Sequence, residues 1–186
     1  MPDLPSFVAL LIVALLCLSL LVFQLITGVP PMPSKASEAA DVVALLRQAN
    51  LPQQAIVYEL GSGWGSLVIA LAKAFPEARI RGIEMSPLPY WVARFRTRKL
   101  ANVALQRANF YACNLQDAHA VTCYLMIKPM PKLAAHLDRM LKPGTAVVSL
   151  TFWFRDREVA AVRQGPGLRG AAALYFWPAR KAKTPD

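Results

Sequence analysis

Glu59-Leu60-Gly61-Ser62-Gly63-Trp64-Gly65 decides how the rest of the chain is read. The stretch before it, Ala55-Ile-Val-Tyr-Glu-Leu60, is apolar and β-branched and reads as a strand. The stretch after it, from Leu67 to Phe75, has helical periodicity. The glycines therefore sit in a strand-to-helix turn, where they allow tight bending and let a ligand lie against bare backbone. A glycine-rich turn is not decisive alone, because dinucleotide-binding domains have one too.

Two carboxylates narrow the choice. Glu59 stands just ahead of the turn, where it would repel a pyrophosphate but attract an ammonium. Glu84 ends the next strand, Ala78 to Glu84, 19 residues after Gly65, a position from which a carboxylate accepts hydrogen bonds from both hydroxyls of a ribose. The spacing is GxGxG, with Ser66 where the dinucleotide fingerprint wants its third small residue. S-adenosylmethionine has a ribose, an ammonium and no phosphate, and meets these details better than NAD. Its predicted contacts are Glu59, Gly61, Ser62, Gly63, Gly65 and Glu84, with Asn109 and Phe110 at the end of the third strand for the adenine.

Outward from the turn, strand and helix alternate. A helix opens at Ser37. Helices are predicted over 88–100 and 132–141, and strands over 103–107, 121–127, 145–154 and 171–177, the last after a turn at Gly165-Pro166-Gly167. Continuously apolar strands alternating with helices indicate an α/β fold, a doubly wound and mostly parallel sheet covered on both faces. Ligands bind at the carboxyl ends of such strands, where the strand order reverses.

Residues 7–29 carry no charge, and a helix of that length extends roughly 34 Å, enough for a hydrocarbon core of about 30 Å. A cleaved leader would have a positive start, but the charged side chain here is Asp3. The expected organisation is a transmembrane anchor at 1–29, a linker at 30–36 and a single catalytic domain at 37–186. All 21 basic residues and 10 of the 11 acidic ones follow residue 29, so that part carries +11. Lys35 and Arg47 follow the apolar segment and nothing basic precedes it. The positive-inside bias predicts a single-pass membrane protein with its domain on the cytosolic side. Cys17, Cys113 and Cys123 form no zinc or disulfide pattern, so no metal is expected.

The glycine motif resembles motif I of the seven-strand, class I methyltransferases. More narrowly, Pro31-Met-Pro-Ser34, Tyr58 to Gly65, Gly82-Ile-Glu-Met-Ser-Pro87, Tyr90-Trp91 and Arg94-Phe95-Arg96 resemble the membrane-anchored lysine methyltransferases of mitochondria and their bacterial relatives. Those enzymes modify the c-subunit of ATP synthase and the adenine nucleotide translocase. The resemblance implies seven strands, S-adenosylmethionine and protein-lysine N-methylation of a membrane-associated protein, in a bacterial inner membrane or on the matrix side of a mitochondrial one. Two departures stand out. Asn109-Phe110-Tyr111 replaces an Asp-Leu-Trp-like motif, and Leu125-Met-Ile-Lys-Pro129 replaces a Phe-Gly-Val-Pro-like segment. Lys128, Pro129 and Trp153, at predicted strand ends, are acceptor-channel candidates.

The alternatives are methylation of a lipid or lipophilic small molecule, and a non-catalytic membrane scaffold with a degenerate fold. Nucleic acid is not the expected partner: only the charge suggests it, and no Asp-Pro-Pro-Tyr or Asn-Pro-Pro-Tyr follows the fourth strand.

Overall fold

The computed structural model describes residues 3–27, 36–164 and 170–179. Helix α1 (Leu4–Thr27) precedes α2 (Ala36–Gln48), β1 (Ile56–Leu60), α3 (Ser66–Ala74), β2 (Arg79–Glu84), α4 (Pro87–Thr97) and β3 (Val103–Arg107). A single 3-10 turn (Phe110–Ala112) leads to β4 (Ala120–Cys123), α5 (Met130–Met140), β5 (Ala146–Leu150), β6 (Ala161–Arg163) and β7 (Ala172–Phe176).

The seven strands form one sheet in the order β3-β2-β1-β4-β5-β7-β6. β1 to β5 are parallel, and β7 runs antiparallel to both β5 and β6. The order reverses between β1 and β4, which sets a crevice above their carboxyl ends.

Alternation along the strands divides the core into two layers. Val57, Ile80, Ala146 and Val148 face Leu45, Leu46, Leu67, Val68 and Leu71 of α2 and α3. Tyr58, Leu60, Ile83, Val121 and Val147 face Leu133 and Leu137 of α5. The doubly wound, mostly parallel sheet is therefore the observed fold.

Several boundaries differ from the expected ones. The fourth strand stops at Cys123 instead of 127, because its partner β1 ends at Leu60, the residue paired with Cys123, and no ladder continues beyond. The fifth strand stops at Leu150 instead of 154, where Thr151 turns to φ +69°. β6, a three-residue strand ending in Arg163, carries too little periodicity to be seen in sequence.

The expected membrane-crossing helix is also corrected in part. α1 is an unbroken helix of 24 residues. Among the described residues, however, no helix is long and apolar enough to cross a membrane. The side chains at 16, 19–21 and 23–27 are outside those residues, as are the linker at 30–35 and the turn at 165–167.

Candidate cofactor site

The turn after β1 is tied to β2 before any side chain is considered. The Gly61 and Ser62 N–H groups both donate to the Ile83 carbonyl, at 2.9 and 3.0 Å. Gly61, Gly63 and Gly65 all have positive φ, and a Cβ at Gly65 would lie 2.9 Å from the Ala93 Cβ. Gly82 in β2 gives the loop its room: a Cβ there would meet the Leu105 side chain at 2.6 Å and Ser62 and Val68 at 3.0 Å. Arg96 of α4 reaches across to donate to the Trp64 carbonyl at 2.6 Å.

Glu84, at the end of β2, accepts from the Gly63 N–H through Oε2 at 2.8 Å and from the Ser86 N–H through Oε1 at 2.7 Å. It thus clamps the glycine turn to the start of α4. Ionised carboxylate oxygens have about four acceptor positions, so capacity remains for a ligand's hydroxyls. Glu59 is 4% exposed, and its Oε2 has no hydrogen-bond partner. The Ser62 hydroxyl is also buried without one. Burial, then the nearby Glu84 charge, pushes the Glu59 carboxyl well above the usual range, against a hydrogen bond from the Val68 backbone. A buried acceptor left unmade costs about 1–3 kcal/mol. This is an acceptor awaiting a donor, next to backbone bare of side chains, and an ammonium-bearing nucleoside fits it. The two carboxylates the sequence singled out are brought together.

The other predicted residues behave less uniformly. Asn109 is exposed, and its Oδ1 accepts from the Tyr111 N–H at 3.0 Å, capping the 3-10 turn. Phe110 is half-buried and packs on the α5 side of the core. Lys128 is exposed, Pro129 caps α5, and Trp153 is partly exposed, its indole N–H 3.5 Å from the Ala171 carbonyl. These three lie beyond the carboxyl ends of β4 and β5, together with the exposed Met126 and Ile127.

Sequence reasoning missed Thr151. It is a β-branched residue at φ +69° with a buried, unpartnered hydroxyl at the end of β5. Such backbone costs of order 1–3 kcal/mol and clusters at functional sites. No sequence signal announces it. Burial pushes the Cys123 thiol up to about 11, so a thiolate nucleophile is not offered here. Among the described residues no group of side chains is arranged to hold a metal.

A doubly wound seven-strand sheet, with a glycine turn between two buried carboxylates at its switch point, defines a Rossmann-like methyltransferase using S-adenosylmethionine. Residues 59–161 match the family described as the ANTKMT methyltransferase domain, and the chain belongs to that family. A protein of Saccharolobus islandicus named protein-lysine N-methyltransferase is 31% identical over 143 residues, 74% of this chain and 89% of that protein. An RNA methyltransferase from Salinibacter ruber, solved with S-adenosyl-L-homocysteine, superposes with a TM-score of 0.68 at 26% identity, covering 83% of this chain and 98% of its own. A putative sarcosine dimethylglycine methyltransferase from Galdieria sulphuraria shares the fold, with a TM-score of 0.53 at 18% identity over 61% of this chain and 46% of its own.

Proposed function

We propose that this enzyme transfers the methyl group of S-adenosylmethionine to the ε-amino group of a lysine in a membrane-associated protein. The observation that carries the acceptor is the 31% identity, over 74% of the chain, to a protein named for lysine N-methylation.

In this reading Glu59 holds the ammonium of the cofactor. Glu84 holds the ribose hydroxyls, and the backbone of Gly61, Ser62, Gly63 and Gly65 lies along the methionine chain. Asn109 and Phe110 border the adenine. Lys128, Pro129 and Trp153 border the acceptor's entrance, with Met126 and Ile127 adding apolar surface. The sulfonium is an activated donor, so the protein's task is to align the amine behind the methyl group and keep water out. A lysine amine with an ordinary pKa near 10.4 must arrive neutral. An apolar entrance favours that form by desolvation.

The membrane part of the proposal rests on the sequence of α1. Leu4–Thr27 carries no acidic residue in its first turn and no basic residue in its last, and Leu4, Phe7, Leu10 and Val13 are exposed. With Lys35 and Arg47 following, it serves as an anchor that keeps the domain on the side where the cofactor is made. The domain boundaries proposed are 1–29, 30–36 and 37–186.

Mass spectrometry of membrane proteins from cells with and without this chain tests the reading. A lysine methylated only when the chain is present is the expected result. Label from radioactive cofactor that enters only the organic extract would replace it with a lipid substrate. A second reading, an RNA acceptor, is favoured by the 26% identity to an RNA methyltransferase and by the net charge of +10. It predicts label in nucleic acid and affinity that falls steeply with salt.

A further inference from the structure

Helix α4 has a face that the cofactor site does not use. Tyr90, Ala93 and Thr97 point inward and are buried. On an adjoining face, at helical spacing, stand Trp91, Arg94, Phe95 and the C-cap residue Arg98, all exposed to solvent. Trp91 is 55% exposed and Phe95 is 65% exposed. The stripe is ordered. The Arg94 guanidinium lies 5.3 Å from the centre of the Trp91 ring, and that of Arg98 lies 3.8 Å from the centre of the Phe95 ring. Arg94 also approaches the Tyr90 hydroxyl at 3.4 Å, and Arg98 donates to the Phe95 carbonyl at 2.7 Å.

One neighbour of the helix is apolar. The uncharged helix α1 comes against α4. Exposed rings paired with cations, beside an apolar helix on a chain of net charge +10, match the boundary between water and an anionic bilayer.

We propose that the stripe Trp91-Arg94-Phe95-Arg98 docks on anionic phospholipid, its rings entering the headgroup boundary and its guanidiniums pairing with phosphates. This rests on the membrane reading above and extends it from the anchor to the catalytic domain. The glycine turn, held to α4 through Arg96, then sits at a fixed height above the lipid.

Full-length chain reconstituted into vesicles of phosphatidylcholine, with and without phosphatidylglycerol, tests the proposal when the lipids carry brominated acyl chains. The Trp91 signal is the difference between the wild type and Trp91→Phe. Bromolipid is expected to quench it in the phosphatidylglycerol vesicles. In the double variant Arg94→Gln/Arg98→Gln, quenching falls to the phosphatidylcholine level, while the thermal midpoint and cofactor binding stay unchanged. Absent quenching, or quenching that ignores both lipid charge and the arginine pair, overturns the proposal. So does a double variant that keeps its quenching but loses affinity for single-stranded RNA. Alkaline extraction separates this from the anchor reading. A chain stripped from membranes while Trp91 is still quenched at neutral pH loses its anchor but keeps its docking face. A chain that resists extraction with Trp91 unquenched keeps its anchor and loses the docking face.

Discussion

Glu59 carries the most chemical information per atom. Its carboxyl is buried beside a second carboxylate and holds its proton well above the ordinary range. The folded enzyme without ligand therefore keeps this proton to higher pH than the unfolded chain does, where a glutamate pKa is about 4.3. Stability from this residue is fully present below that pKa and declines as pH rises through the folded value. An ammonium in the site reverses the preference, because it favours the carboxylate. Cofactor binding is thus expected to release protons and to strengthen as pH rises through the Glu59 titration. Calorimetry in buffers of different ionisation enthalpy measures the release. Glu59→Gln should abolish the release and weaken binding by about tenfold or more, since hydrogen bonds to charged groups contribute roughly 1.5–3 kcal/mol.

Gly65 and Gly82 are the complementary cases, where function depends on an absent side chain. Gly65→Ala places a Cβ against Ala93 at φ +79°. Gly82→Ala drives one into Leu105. Both should lower the thermal midpoint, and Gly65→Ala should also reduce cofactor affinity, because the turn it deforms is the binding surface. Thr151→Gly should do the opposite to stability, raising it by about 1 kcal/mol through relief of strained backbone. If the strained turn holds the acceptor end in place, turnover falls at the same time; unchanged turnover assigns Thr151 to the fold alone.

At the scale of elements, the sequence was legible where periodicity and register coincide. Glu59 is the next-to-last residue of β1 and Glu84 the last of the adjacent parallel strand β2, with Glu59 paired to Gly82, so two acids apart in sequence meet at one turn. That proximity follows from strand, glycine turn, helix, strand, and was readable from spacing. The ends of β4 and β5 were not readable. Leu125 to Ile127 and Phe152 to Phe154 are as apolar as the strands before them, yet they leave the sheet because the ladder partner ends or the backbone turns. Apolar character marks what avoids water; it does not tell a strand from a lining segment. Asn109 shows a similar ambiguity, since a side chain chosen by position as an adenine contact serves here as a cap. Among the helices, α5 packs through Leu133 and Leu137, both fully buried. Leu137→Ala should destabilise by about 2–5 kcal/mol, measured by denaturant unfolding, with the residual folded fraction still binding cofactor.

For the molecule as a whole, charge and polarity are unevenly shared. The apolar excess is concentrated at the amino end and the positive charge follows it. Cofactor binds only the folded chain, so saturation at a hundredfold over its dissociation constant should add about 2.7 kcal/mol of stability, read as a rise in thermal midpoint. A scaffold that has lost its ligand would show no such rise.

The strand order sets a schedule for biosynthesis. Among the described residues β7 is the last strand made, yet it lies between β5 and β6 and not at an edge. Until Ala172–Phe176 is translated, the border of β5 stays open, because its ladder with β7 cannot form. The apolar amino-terminal helix has emerged long before. A nascent chain therefore closes its sheet last, and a ribosome stalled before Ala172 leaves an unpaired border of the kind that recruits other chains into aggregates.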